Sequence, residues 1–273
     1  MLRETIYRAY EEIKPTKVLI VSNNVGFVEE CIAGTGGECI VLSNRKPTSS
    51  ILSTPKIRYI RMPTSILPDI EVIPQIKEYI IALCAEGYIG PKDRVLCLFE
   101  SALEGIVSID MENLGLLSLH ERVNDVDMRV LYEVISVAAE IGREGKEGMP
   151  TGALFIVGDS ENVMKHSRQA IMNPFDRNNG YSVLNPDDRK TVKDYATLDG
   201  AMIIDDHGNL VAAGTYILTG KQYSIVLPDE LGGRHYAAAY ISIATRAVGV
   251  VLSSTGVIRI FDDGHEVYSF KVR

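Results

Sequence analysis

Three short segments in the second half of the chain carry residues suited to chemistry rather than to filling a core. The first, Asp199-Gly200-Ala201, joins a helical pattern to the apolar run Met202 to Asp205. By default such an Asp-Gly junction is a turn, in which Gly takes backbone angles that other residues avoid and Asp bonds nearby amides. Facing a cleft, the same carboxylate is a hard ligand for a divalent cation, and Gly200 lets a ligand approach the backbone. The second, Gly232-Gly233-Arg234-His235-Tyr236, opens the helical pattern HYAAAYISIATRA. A helix start presents unpaired amides and the positive end of a dipole, so placing Arg234 and His235 there is costly unless an anion is expected or a neighbouring acid pairs with the arginine. The third, Leu252-Ser253-Ser254-Thr255-Gly256, ends an apolar run. It reads as a hairpin turn, or as part of a ligand site where a strand end adjoins a glycine-rich helix start. Together the three segments could line one phosphate site.

These residues need a scaffold, and the hydrophobic periodicity supplies one. In the first half, KVLIV (17 to 21), ECIVLS (38 to 43), KIRYIRM (56 to 62), RVLCLF (94 to 99) and GIVSID (105 to 110) read as strands, with a helix from Val72 to Tyr88 between the third and fourth. In that helix Val72, Ile73, Ile76, Tyr79, Ile80 and Leu83 form one stripe. Strand and helix alternation predicts a mostly parallel sheet with covering helices. A long amphipathic helix follows from Asp125 to Arg143, then a polar, glycine-rich connection, the strand GALFIV, a loop containing Pro174 and Phe175, a helix from Pro186 to Thr197 and the strand AMIID. DDHGN and DDGHE, with Gly208 and Gly264, read as hairpin turns. The fold class expected is α/β: a three-layer α/β domain over residues 1–120, then a mixed-sheet α/β domain over residues 121–273.

At 273 residues, 46% hydrophobic and 23% charged, the chain can bury two cores, and disordered, collagen-like and disulfide-scaffold classes are excluded. The net charge of −8 argues against an open basic surface that tracks nucleic acid. No apolar run approaches the roughly 20 residues a membrane span needs, and the N-terminus is unlike a signal peptide, so a cytoplasmic protein is expected. Cys31, Cys39, Cys84 and Cys97 contain no CxxC pair and read as structural. His120, His166, His207 and His265 form no ligand pair for zinc.

The DGA at Asp199 to Ala201 and, further on, GGRHY at Gly232 to Tyr236, with LVAAGTYI between them and VVLSSTG after, resemble the diadenylate cyclase domain of the DNA-integrity scanning protein family. That family is marked by a DGA motif and an RHR motif preceded by glycine. With the first half included, the chain resembles archaeal diadenylate cyclases, in which a domain similar to the C-terminal domain of pyruvate kinase precedes the cyclase domain; its expected role is allosteric or in assembly. The resemblance implies condensation of two ATP molecules into cyclic di-AMP between two facing copies of the chain. It casts Asp199 as ligand to Mg²⁺ or Mn²⁺ and Arg234 and His235 as catalytic phosphate-binding groups. Gly200, Ala201, Tyr216, Ile217, Gly233, Ser253 and Ser254 complete the substrate site, with Tyr216 and Ile217 flanking adenine. Two departures stand out. Tyr236 replaces the final Arg of the motif, and Ser253 and Ser254 stand where relatives often have acids. These leave open a second reading, a nucleotide-binding sensor that has lost turnover.

Overall fold

The computed structural model describes residues 2–36, 38–45, 56–61, 72–90, 92–101, 103–112, 126–175, 180–220 and 222–272. The chain divides into two compact units, Met1–Lys77 with Gly87–Leu117, and Glu78–Glu86 with Ser118–Arg273.

The elements of the first part are α1 (Leu2–Ile13), β1 (Lys17–Val21), α2 (Val25–Thr35), β2 (Cys39–Ser43), β3 (Ile57–Arg61), α3 (Val72–Ala85), β4 (Arg94–Glu100) and β5 (Glu104–Asp110). Residues 72–77 of α3 fall in the first unit and the rest in the second. The strands lie in the order β3-β2-β1-β4-β5. The first four run parallel, as expected, and β5 is antiparallel to β4. The reason is the connection after Glu100, which is too short for the crossover that a parallel neighbour needs. Continuous buried runs such as KVLIV and CIVLS suit a parallel sheet. Val18, Ile20, Val41, Leu96 and Leu98 pack with Ile6 of α1 and with Phe27, Val28 and Cys31 of α2. Asn24 caps α2, accepting from the amides of Gly26 and Phe27, and Gly36 closes it in the left-handed conformation. Of the expected α3 stripe, Ile76, Ile80 and Leu83 are buried and Tyr79 is half-buried, while the Val72 and Ile73 side chains lie outside the described residues. Cys31, Cys39 and Cys97 are buried, Cys84 is half-buried, and all four are reduced thiols; His120 lies outside the described residues.

The second unit contains α4 (Met128–Glu144), β6 (Ala153–Val157), α5 (Ser160–Lys165), β7 (Ser167–Gln169), α6 (Arg189–Ala196), β8 (Ala201–Ile204), β9 (Leu210–Ile217), α7 (Gly233–Ala244), β10 (Val248–Leu252), β11 (Val257–Asp262) and β12 (His265–Lys271). Its seven-stranded sheet has the order β12-β11-β10-β6-β8-β9-β7. Only β6 and β8 pair in parallel, so the sheet is mixed. Helix α4 starts at Met128, later than its apolar pattern, because Asp127 caps it by accepting from the Arg129 amide at 2.8 Å. Leu154, Ile156, Ile203 and Val251 pack with Ala238, Ala239 and Ile241 of α7. Helix α4 packs on β6, β10 and β11, with Gly142 against the side chains of Leu252 and Val272. Arg189 of α6 clamps α4 by donating to Glu133 (2.7 Å), Glu140 (3.1 Å) and Ser136 (2.5 Å), and Lys193 adds Glu144 at 2.8 Å. Burial pushes the Glu140 carboxyl up, but Arg189 and Lys193 more than offset this and hold it below the usual carboxylate range. Among the described residues no helix is long and apolar enough to cross a membrane.

Candidate active site

Strand register determines which residues meet. Leu252, the last residue of β10, pairs with Ala153, the first of β6. Phe155 of β6 pairs with Met202 of β8, and that parallel register carried back brings Asp199 and Gly200 level with Gly152 and Ala153. On the other side Ala201 pairs with Thr215 of β9, and Tyr216 pairs with Arg168 of β7. The C-terminal ends of β9 and β10 and the N-terminal ends of β6 and β8 therefore lie along one end of the sheet. With strands about 4.8 Å apart, the row from Ser253 to Tyr216 spans about 14 Å.

Gly200 is needed in the DGA turn for two reasons. Its φ is +100°, and a Cβ there would stand 2.7 Å from the Thr215 amide nitrogen. The backbone before β8 is thus pressed onto β9, which brings Asp199 to Tyr216. The Tyr216 hydroxyl donates to Asp199 Oδ2 at 2.5 Å. That hydrogen bond, with the charge of Asp199, raises the phenol above its usual range and keeps it a neutral donor. The guanidinium of Arg168 lies 5.9 Å from the centroid of the Tyr216 ring.

Gly232 begins α7 without a side chain to cap it, which leaves the first helix amides for a ligand. Arg234 is half-buried and makes no ion pair among the described residues. Its Nη1 would lie 2.9 Å from a Cβ built on Gly152, which would also stand 2.8 Å from the Leu252 carbonyl oxygen. The GGRHY and LSSTG segments are thereby joined beside the N-terminal end of β6.

The placements differ from expectation at three points. The His235 ring is 7% exposed, edge-on to Phe261 at 6.1 Å, and both ring nitrogens are buried with no hydrogen-bond partner among the described residues. Burial, with Arg259 nearby, lowers its pKa. Neighbouring residues on a helix point about 100° apart, so the imidazole packs inward while Arg234 faces the Gly152 end. The Ala201 side chain is buried in the core cluster, leaving only its backbone for a ligand. Ser253 does turn work: its Oγ accepts from the Val257 amide at 3.0 Å and shares a hydrogen bond with Thr255 Oγ1. Ser254 is exposed, Gly233 is exposed at the start of α7, and Ile217 is partly buried against the core beneath β9. Phe175 is buried between Tyr181 and Tyr195, a packing role that the polar loop around it did not announce.

No group of three or more His, Cys, Asp or Glu suited to a metal occurs among the described residues. A single carboxylate with oxygen neighbours fits a hard cation shared with phosphate oxygens, which is how Mg²⁺ and similar ions are commonly held.

A family model described as the DisA bacterial checkpoint controller nucleotide-binding domain, DAC, matches residues 140–266, the segment that contributes Asp199, Tyr216, Arg234 and Ser253 to this end of the sheet. That segment is similar to the DAC family. The DAC segment has curated relatives: a diadenylate cyclase of Methanocaldococcus jannaschii is 40% identical over 159 residues, 58% of this chain and 50% of that protein. A diadenylate cyclase of Haloferax volcanii is 40% identical over 139 residues, 50% of this chain and 51% of that protein. The matches thus span about half the length of these relatives. The crystal structure of DacA from Staphylococcus aureus is 21% identical and covers 53% of this chain and 87% of that chain, at a TM-score of 0.36.

Proposed function

We propose that this chain is a diadenylate cyclase that joins two ATP molecules into cyclic di-AMP and releases two pyrophosphates. The observation that carries this reading is the gathering of Asp199, Tyr216, Arg234 and the free start of α7 at one end of the DAC sheet. Each 3′-hydroxyl oxygen forms a bond to the α-phosphorus of the other nucleotide and releases its proton to solvent, and the bond from that phosphorus to the bridging oxygen breaks as pyrophosphate leaves with that oxygen. Asp199 would hold a divalent cation, Mg²⁺ or Mn²⁺, which when bound offsets charge on the phosphates. Arg234 and the amides at Gly233 and Arg234 bind phosphate oxygens, and with no ion pair to Arg234 among the described residues the guanidinium is available for them. Gly200 lets the ribose and phosphates come close to the backbone, and Tyr216 and Ile217 line the adenine. The Ser253 and Ser254 turn closes the phosphate end. His235, cast with Arg234 as a phosphate-binding group, stands in the same first turn of α7 with its ring packed against Phe261.

One site holds one ATP, so two copies face each other during turnover. The first domain, over residues 1–120, serves regulation or assembly. A crevice of about 540 Å³ lined by Asn23, Asn24, Arg45 and Glu100 opens at the carboxyl ends of β1, β2 and β4, where open α/β sheets take small ligands. The chain works in the cytoplasm on soluble nucleotides, with neither nucleic acid nor membrane as partner.

The test is incubation of the purified protein with ATP and Mn²⁺ or Mg²⁺, with products resolved by mass spectrometry. Cyclic di-AMP with two pyrophosphates per product is expected. ATP bound but unchanged would favour a sensor, a reading that Tyr236 and the Ser253-Ser254 pair keep in play.

A further inference from the structure

We infer that Tyr216 is a positioning residue that couples adenine binding to the metal: its ring walls the base while its hydroxyl fixes the carboxylate that takes the cation. The inference rests on the assignment of Asp199 as metal ligand and of Tyr216 as a wall of the adenine site.

The geometry ties the two groups tightly. Gly200 is pressed against Thr215, the neighbour of Tyr216, so the residue before Gly200 and the residue after Thr215 are held side by side. The tyrosine hydroxyl donates to Oδ2 of Asp199, which restrains the carboxylate and leaves Oδ1 for a cation. A hydrogen bond of this kind behind a metal-binding carboxylate orients it and tunes its affinity. The ring is in turn steadied from β7, where Arg168 pairs with Tyr216 and sets its guanidinium 5.9 Å from the ring centroid. At 36% exposed, the tyrosine still has ring surface to offer a base. A base seated on that surface restricts the ring, the ring restricts the carboxylate, and the cation meets a ligand already aimed. By linkage, the cation must then tighten adenine nucleotide binding by the same factor.

The experiment is calorimetric binding of 3′-deoxy-ATP, which cannot cyclise, with and without Mn²⁺; the ratio of the two affinities measures the coupling. Tyr216→Phe keeps the ring and removes the hydroxyl. Its metal-free affinity should stay close to wild type, while the Mn²⁺ ratio falls by about ten- to a hundredfold, the usual effect of losing a partner behind a metal ligand. Ile217→Ala should weaken binding equally with and without Mn²⁺ and leave the ratio alone. Asp199→Asn should bring the ratio close to one. A wild-type ratio in Tyr216→Phe beside a lost ratio in Asp199→Asn overturns the coupling while sparing the metal ligand. A wild-type ratio in Asp199→Asn instead removes the metal assignment, and the coupling with it.

Discussion

The guanidinium of Arg234 occupies the space that a side chain at Gly152 would need, with Nη1 2.9 Å from the position of a Cβ there. The Leu252 carbonyl oxygen, 2.8 Å from the same point, is backbone in a paired strand and cannot yield cheaply. Gly152→Ala should therefore displace the Arg234 guanidinium and, with it, the phosphate contact proposed for it. We expect kcat/KM to fall by about ten- to a hundredfold, equivalent to about 1.4–2.7 kcal/mol, with a modest loss of melting temperature from the crowded strand. Wild-type steady-state kinetics in this variant would show that the arginine works equally well elsewhere.

Asp199→Asn keeps the shape of the turn but is a much poorer ligand for a hard cation. Turnover should drop by at least about a hundredfold, near the lower end of the cost of removing one strong electrostatic stabiliser. Residual activity should need more Mg²⁺ or Mn²⁺. A metal titration of cyclic di-AMP formation beside a melting curve checks this, and near wild-type turnover with an unchanged metal requirement would contradict it.

His235 is buried with its pKa lowered, so the folded protein favours the neutral ring. The unfolded chain takes up the proton near pH 6.5, and the folded state resists it below that point. The histidine's share of stability is thus present above pH 6.5 and is lost as pH falls below it. Melting temperatures of wild type and His235→Gln between pH 5 and 8 should converge towards the acid end. Parallel curves would mean the ring titrates as it does in water.

Arg189 joins α6 to α4 through Glu133, Glu140 and Ser136, away from the strand ends that gather Asp199 and Arg234. Arg189→Ala should cost about 1–3 kcal/mol in chemical denaturation, the scale for losing charged, partly buried hydrogen bonds. Because Glu140 is held below the usual carboxylate range, its contribution is present above the ordinary glutamate pKa and disappears as pH drops through the lowered one. Activity per folded molecule should be unchanged, and a loss of turnover without a loss of stability would place Arg189 in the chemistry.

Much of the scaffold was legible because apolar runs state their own period. KVLIV became β1 residue for residue, and the DDHGN and DDGHE turns join β8 to β9 and β11 to β12. The parallel core followed from strand and helix alternation, but β5 did not, since its direction depends on a short connection rather than on its own residues. Strand β7 has only Ser167, Arg168 and Gln169 and no apolar run; it exists because β9 offers it an edge. At the candidate site, a glycine turn and a charge at the wrong helix end singled out Asp199 and Arg234, and the fold sets both along one end of the sheet. The hydrogen bond from Tyr216 to Asp199 did not show, because it depends on the close packing of Gly200 against Thr215 across the pairing of β8 with β9. The inward turn of His235 was hidden for a like reason, since a motif gives order along the chain and not direction around the helix.

The hairpin turns at Asp205 to Asn209 and Asp262 to His265 close the ends of β8 and β11 that lie opposite Asp199 and Ser253. Asp206 and His207 are exposed there. A fluorophore or an inserted peptide tag between them would ride on the back of the sheet, so pairs of labelled chains could be brought together and watched by energy transfer while the chemistry on the far end continues undisturbed.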